Sequence, residues 1–244
     1  MCRHLGYVGP PRSVAEVLTG QPHSLLTQSY APTDMRRGGT VNADGFGAAW
    51  SAPDGSMVSY RNAMPMWTDP AVTDVLTQVT STCVLGAVRS ATVGMPIVRT
   101  ANAPFVDGRF AFSHNGVVAE WPTSMAALAA QIPTEDLMTL EAPTDSASVW
   151  ALLKVALREH GPGRALRTVA TAVDSAAPNS RLNFLLGDGE ALYATAVYHS
   201  LSVYSDDECV MVASEPLDFR PGWQSVPNRS FVTARIGNVD VQDL

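Results

Sequence analysis

The chain has almost no lysine: Lys154 stands alone against fifteen arginines in 244 residues. That imbalance reads as a compositional habit of the source genome and carries no functional message. Charged residues of both signs reach only 16%, against roughly a quarter in ordinary soluble domains. The net charge is −7, and no Lys/Arg run is dense enough to track a phosphate backbone. Nucleic acid is therefore not an expected partner. No apolar stretch approaches the ~18 residues that a membrane helix needs. The N-terminus also lacks the basic-then-apolar pattern of a secretory signal. No membrane partner and a cytoplasmic location are the expectation. The three cysteines, Cys2, Cys83 and Cys209, are too few and too irregularly spaced for a disulfide framework or a zinc site. Cys83 and Cys209 lie in apolar runs and read as small buried hydrophobes. No metal and no organic cofactor is called for. Oligomeric state is not legible.

What is plentiful is apolar surface to bury. Hydrophobic residues make up 46% of the chain, enough for a sizeable core. There is no internal repeat, low-complexity segment or linker, so residues 1–244 read as one domain. The opening run alternates after His4 and stops at Gly9-Pro10-Pro11, which predicts a strand beginning almost at the first residue. Ser13 and Glu16 form a capping-box pattern for a short helix near 13–19. Residues 20–43 are polar and rich in Gly and Pro, and read as a long loop. Segments 46–52 and 57–63 flank Pro53-Asp54-Gly55, a hairpin signature. Segments 69–79 and 124–132 read as short helices, 84–90 and 110–118 as strands, and 91–109 as an irregular loop.

The clearest helix begins at Asp145 or Ser146. Val149, Leu152, Leu153, Ala156 and Leu157 form its apolar stripe, and Gly161-Pro162 ends it. A second helix covers 164–173. Strands follow at 182–186, 191–198, 201–204 and 210–213, joined by tight turns, with a last strand at 231–236. Tight turns mean antiparallel pairing. Two antiparallel sheets with helices packed outside them, an α+β layered domain, is the expected class.

Cys2 carries the first chemical signal. A residue this small at position 2 lets methionine aminopeptidase remove Met1. The mature chain then has an amine and a thiol on one residue, with reference pKa values of about 7.7–8.0 and 8.5. An amine near neutrality can take the thiol proton, so nucleophile and base come together. Chance placement stays open. So does chelation of copper or nickel by the amine and His4, although a buried first strand could not wrap a metal.

Ser113-His114-Asn115-Gly116 closes an apolar run. The glycine lets substrate approach the backbone and frees its N–H. The Asn amide is a second donor, and such a pair makes an oxyanion hole worth roughly 3–4 kcal/mol per donor. A plain Asn-Gly turn is the alternative. Arg89 ends another apolar run. It is either a solvated strand end or a grip for a carboxylate through two parallel N–H bonds. Asp145 is either a helix N-cap or a partner for a substrate ammonium. Asn42-Ala43-Asp44-Gly45-Phe46-Gly47 precedes a strand, not a helix, and so is not a phosphate cradle.

Six segments together resemble the glutaminase domain of class II glutamine amidotransferases, a branch of the N-terminal-nucleophile hydrolases. They are Met1-Cys2, the Asn42–Gly47 segment, Ala87-Val88-Arg89-Ser90-Ala91-Thr92, Ser113-His114-Asn115-Gly116, Thr144-Asp145-Ser146 and Ala213-Ser214-Glu215-Pro216. Each is weak alone, but they fall in the family's order and span nearly the whole chain. The resemblance implies a four-layer αββα sandwich with Cys2 at a strand end between the sheets. It implies Cys2 as nucleophile, with its own amine as base, and Asn115 and Gly116 as the oxyanion hole. Arg89 would hold the α-carboxylate of a glutamyl group and Asp145 its α-ammonium. His114, Thr92, Ala91 and the stretch 102–105 would complete the pocket.

The implied partner is a small-molecule γ-glutamyl substrate, with no cofactor. Synthase members carry a second, large domain, and this chain stops at 244, which favours a stand-alone amidohydrolase. A narrower set of motifs comprises Gln28-Ser29-Tyr30-Ala31-Pro32, Arg89-Ser90-Ala91-Thr92-Val93-Gly94-Met95-Pro96, Ala103-Pro104-Phe105 and Pro221-Gly222-Trp223. It resembles the actinobacterial amidohydrolases of ergothioneine synthesis, which remove glutamate from a sulfoxide-linked cysteine–trimethylhistidine conjugate. Trp67, Trp121, Trp223 and Tyr30 could stack on a trimethylammonium or pack in the core. A glutaminase subunit feeding ammonia to a separate synthetase, and a catalytically silent binding module, are the rival readings.

Overall fold

The computed structural model describes residues 2–36 and 41–244. The chain enters on β1 (Arg3–Ser13), which runs on through Gly9-Pro10-Pro11 where the sequence predicts a stop. A register shift between Val8 and Arg12 makes this possible, because the prolines have no N–H to give and fall in the irregular stretch. Ser13 then caps α1 (Val14–Thr19), its hydroxyl accepting from the Glu16 N–H.

The predicted loop over 20–43 instead holds a further helix, α2 (Leu25–Tyr30). The polar residues that suggest a loop are its cap and its anchors. Ser24 caps the helix, and buried Gln28 donates to the His23 carbonyl. Residues 37–40 of this stretch lie outside the described residues.

The expected hairpin forms as β2 (Phe46–Ser51) and β3 (Met57–Asn62). The helix predicted over 69–79 shrinks to α3 (Ala71–Asp74). Leu76 and Val79 instead give their carbonyls to the N–H groups of Ala15 and Val14. Strand β4 (Thr80–Val88) follows. The loop predicted over 91–109 contains β5 (Phe105–Asp107), which turns at Gly108 (φ +52°) into β6 (Phe110–Val117).

One helix is predicted over 124–132. The structure has a shorter α4 (Ala126–Ala129) and, beyond Pro133, α5 (Thr134–Met138). The long helices α6 (Asp145–Glu159) and α7 (Pro162–Ala176) sit where expected, with Pro162 at the first turn of α7. The rest is β7 (Arg181–Gly187), β8 (Leu192–Ala196), β9 (Ser202–Ser205), β10 (Val210–Ala213), a short β11 (Gln224–Ser225), β12 (Ser230–Arg235) and β13 (Asn238–Asp243). The sequence pattern predicts no strand beyond β12. Strand β13 is largely exposed: Val239 and Val241 alternate with polar residues, but neither is fully buried.

The strands form two sheets. One has the order β11-β9-β10-β1-β4-β2-β3, the other β13-β12-β8-β7-β6-β5. All the pairings are antiparallel. Val8, Leu85, Leu185 and Val212 pack between the sheets. Leu18 of α1 and Leu25 of α2 cover the outer face of the first sheet, against Leu5 and Tyr7. Leu153 of α6 and Leu166 of α7 cover the second, against Phe112 and Phe184. The layers therefore run helix, sheet, sheet, helix, the αββα sandwich that the resemblance implies. Among the described residues, no helix is long and apolar enough to cross a membrane.

Strand alternation decides which side chains can meet. On β1, Leu5 and Tyr7 face the helices, while Val8 faces the second sheet. On β4, Cys83 and Leu85 face inward. On β6, Ala111 faces inward and Phe112 faces the helices. Arg3 is registered with Val88, and His4 bonds Ser113 across the sheets at 3.2 Å. The start of β1 and the ends of β4 and β6 thus meet at one edge of the sandwich.

At that edge β6 and β7 come very close. A Cβ on Gly116 would lie 1.8 Å from the Arg181 carbonyl oxygen. Gly116→Ala therefore has to spread the two strands, at a cost of about 1–3 kcal/mol. A lowered urea midpoint is the expected result; an unchanged midpoint would show that the strand end yields freely.

Candidate active site

A cleft of about 530 Å³ opens at the meeting edge. Of the residues singled out from sequence, Cys2, Arg89, Thr92, His114, Gly116 and Asp145 line it. Asn115 and Ala91 do not. Asn115, between the lining residues His114 and Gly116, is buried, and its Nδ2 donates to Ser214 Oγ at 3.2 Å. Ala91 serves through its backbone: its N–H donates to Asp44 Oδ2 at 2.7 Å. From the 102–105 stretch, Ala103 and Phe105 line the cleft. Asn102 fixes the segment by donating to the Asn62 and Val98 carbonyls.

None of the four aromatic residues considered for a trimethylammonium lines the cleft. Trp121 bonds Ser148 and Trp223 bonds Asp218, each packed against a core. Tyr30 and Trp67 form an exposed edge-on pair, ring centroids 6.1 Å apart.

Arg89 is held at its backbone by the Gly-rich turn before β2. Its N–H donates to the Gly45 carbonyl, and its carbonyl accepts from the Asp44 N–H. The close packing of Gly45 (φ +118°) against the Asn102 amide leaves no room for a side chain there. The Asn42–Gly47 motif is thus a clamp for Arg89. The guanidinium itself donates to the Pro96 carbonyl at 2.8 Å. Asp145 opens α6, where the unpaired N–H groups favour negative charge. Thr144 takes the N-cap role that the sequence left open for Asp145. The Asp145 carboxylate accepts from the N–H groups of Val118, at 2.9 Å, and Ser146, at 2.7 Å. One cleft therefore carries a fixed cation and a fixed anion, complementary to the zwitterionic end of an α-amino acid.

The buried histidines do not add charge. The imidazole of His114 lies between the Arg181 carbonyl at Nε2 (2.8 Å) and Ser146 Oγ at Nδ1 (3.1 Å). Burial lowers its pKa, although Asp145 and the Arg181 carbonyl pull the other way. Burial pushes His4 down to about 3, helped by the positive charge of Arg3. His4, considered above as a metal ligand, is fully enclosed between the sheets. Cys83 and Cys209 are buried as expected. Burial drives the Cys83 thiol up to about 12 and raises that of Cys209. Cys2 is half-buried, and its thiol donates to the Ser90 carbonyl at 3.6 Å.

The residues that steady Cys2 carry no role in the sequence analysis. Arg3 Nη1 donates to the Cys2 carbonyl at 3.1 Å, and Arg3 Nε donates to Glu215 Oε1 at 3.1 Å. Glu215 also accepts from the Thr33 N–H and hydroxyl, the Asp34 N–H and His23. Ser214 takes the His4 N–H on its hydroxyl and gives its own N–H to the His4 carbonyl. The same hydroxyl accepts from Asn115, so one dipeptide touches the first strand and the candidate oxyanion residue. The only sequence signal was the pairing of an apolar strand with Ser-Glu-Pro at its end.

Arg3 and Glu215 have side-chain exposures of 0% and 2%. Removing one member of such a pair strands the other charge, at about 3–5 kcal/mol. Glu215→Ala should therefore lower stability by that order and slow turnover by loosening Cys2. Burial alone would raise the Glu215 pKa, but hydrogen bonds from Thr33 and His23 and the charge of Arg3 outweigh it and lower it. The stabilisation is then complete above the ordinary glutamate value near 4.5 and fades as pH falls from there through the lower native value. Urea midpoints of both proteins, at neutral pH and again below the carboxylate range, should show the deficit shrinking in acid. A deficit that grows in acid would contradict the assignment.

Residues 22–205 match the family described as glutamine amidotransferases class-II. A gamma-glutamyl-hercynylcysteine sulfoxide hydrolase from Mycolicibacterium smegmatis is 39% identical over 244 residues, covering 100% of both chains. Among solved structures, a glutamine aminotransferase class-II domain protein from Silicibacter pomeroyi superposes with a TM-score of 0.68 at 23% identity, covering 99% of each chain. The glutamine phosphoribosylpyrophosphate amidotransferase of B. subtilis gives 0.71 at 16% identity, over 99% of this chain and 49% of that one. With the family match across most of its length and the αββα layers around the cleft, the chain belongs to the class II glutamine amidotransferases.

Proposed function

We propose that the mature chain, beginning at Cys2, is an amidohydrolase that removes glutamate from a γ-glutamyl hercynylcysteine sulfoxide. The observation that carries the reaction class is the cleft itself. Arg89 and Asp145 offer a cation and an anion to one zwitterion, while Cys2 and Gly116 line the same space. The substrate name is supported by the mycobacterial relative, which matches end to end at 39% identity.

In this reading the α-carboxylate of the glutamyl group takes the Arg89 guanidinium in place of the Pro96 carbonyl. Its α-ammonium donates to Asp145. The γ-carbonyl is then presented to Cys2. The thiol proton moves to the Cys2 amine, and the thiolate attacks the γ-carbon. The oxyanion accepts from the Gly116 N–H and from Asn115, whose Nδ2 has two hydrogens and commits one of them to Ser214. Collapse breaks the C–N bond, and the leaving nitrogen takes the proton back from the amine. Water then cleaves the thioester and releases glutamate. His114, held neutral by burial, keeps the cleft's charge balance to one cation and one anion.

The test is glutamate release from the γ-glutamyl conjugate and from free glutamine, assayed separately. The conjugate should win by roughly a hundredfold in kcat/KM; equal values would favour an ammonia donor for a separate synthetase. Cys2→Ala should fold, bind the conjugate and release no glutamate. Intact mass should show active protein without Met1, since a retained Met1 blocks the amine. Normal turnover by either the variant or the unprocessed chain would overturn the mechanism.

A further inference from the structure

The cleft accommodates the glutamyl half of a substrate and has Cys2 in its wall, so the departing half lies beyond Cys2. What stands there can be followed from bond to bond. Arg3 binds the Cys2 carbonyl with Nη1 and the Asp34 carbonyl with Nη2, at 3.1 and 2.7 Å. The Asp34 backbone therefore runs beside the nucleophile. Two residues on, Arg36 Nη1 donates to the Tyr198 carbonyl at 2.8 Å, and the Tyr198 hydroxyl donates back to the Arg36 carbonyl at 3.4 Å. From the opposite wall, the Arg181 carbonyl accepts from His114 Nε2 and abuts Gly116. The Arg181 guanidinium stands 5.1 Å from the centroid of the Tyr198 ring. Arg36, Tyr198 and Arg181 thus form a continuous rim from the loop beside Cys2 to the strand end that carries His114 and Gly116.

Three properties of this rim exceed what the core needs. Tyr198 has φ +85°, a left-handed conformation for a residue with a side chain. Such strain costs on the order of 1–3 kcal/mol and persists only where the surroundings enforce it. Here the Tyr198 N–H is tied to Asn228 Oδ1 at 2.7 Å and its carbonyl to Arg36. The second property is exposure: Tyr198 is 37% exposed although its neighbours Val197 and His199 are buried. The third is charge. Arg36 shares Asp34, but among the described residues no carboxylate pairs with Arg181. In a chain with net charge −7, the Arg181 guanidinium over an exposed ring is a local positive charge without a carboxylate partner.

We propose that Arg181, with Arg36 and Tyr198, forms a leaving-group subsite for a carboxylate. The ligand is the α-carboxylate of an amino acid whose nitrogen is acylated by the γ-glutamyl group. A guanidinium fork matches a carboxylate, and that carboxylate sits one carbon away from the scissile nitrogen. The subsite rests on the γ-glutamyl amidohydrolase reading above. It adds that the enzyme distinguishes γ-glutamyl amino acids from glutamine and from simple γ-glutamyl alkylamides by charge on the departing side.

Two probes of similar size separate these ideas: γ-glutamyl-L-alanine, which has the carboxylate, and γ-glutamylethylamide, which lacks it. Glutamate release gives kcat/KM for each. The unmodified protein should prefer γ-glutamyl-L-alanine by roughly tenfold or more, the usual scale of a charge-assisted hydrogen bond. Arg181→Gln should bring the ratio of the two values close to one, and Arg36→Gln should reduce it in the same direction. A folding defect would lower both probes together, so a fall in both with the ratio intact overturns the subsite. An unmodified protein that cleaves both probes equally well also overturns it, while leaving the amidohydrolase reading standing. Release from neither probe nor any other γ-glutamyl amide would sink both.

Discussion

Arg3 and Glu215 are each charged and each almost wholly removed from water, and the site is arranged around that pair. Taking two ions out of water costs several kcal/mol apiece, and their mutual attraction alone does not reliably recover it. Further hydrogen bonds do. Glu215 collects the N–H groups of Thr33 and Asp34, the Thr33 hydroxyl and His23, while Arg3 gives to the Cys2 and Asp34 carbonyls. Satisfying the pair thus draws three distant stretches of chain together: the first strand, the loop after α2 and the end of β10. Cys2 is immobilised as a consequence.

The electrostatics of the cleft follow from which groups are buried and which are partnered. His4, His114 and His199 crowd the same interior, and burial drives all three toward the neutral form. Charge is then confined to groups with fixed backbone partners, Arg89 through the Asp44-Gly45 turn and Asp145 through the start of α6. Two opposite charges whose backbones are already fixed are a form of preorganisation, with only the Pro96 contact of Arg89 left to exchange.

Much of this was legible in the sequence, for a physical reason. Strand alternation and helix caps are local patterns, so β2, β3, β6, α6 and α7 could be read from neighbouring residues. What could not be read depends on contacts between residues far apart. Glu215 meets Arg3 across 212 positions, and nothing near Ser214 or Glu215 in the chain announces it. Gln28 and Ser29 look like loop residues until the backbone groups that bury them are in place. The side chain of Asn115 is a similar case. Its sequence neighbours suggest a donor amide, but nothing near it shows that one amide hydrogen is committed to Ser214 of the other sheet. Tyr198 gave no signal at all, because a left-handed tyrosine is imposed from outside by Asn228 and Arg36.

The burial of Cys83 and Cys209 has a consequence of another kind. Both thiols are enclosed, and burial holds both firmly in the protonated form, which neither alkylates nor oxidises readily. To an alkylating reagent in solution, a chain with three sulfhydryls presents a single accessible thiol. Chemoselectivity toward Cys2 is thus a property of where the layers place the other two.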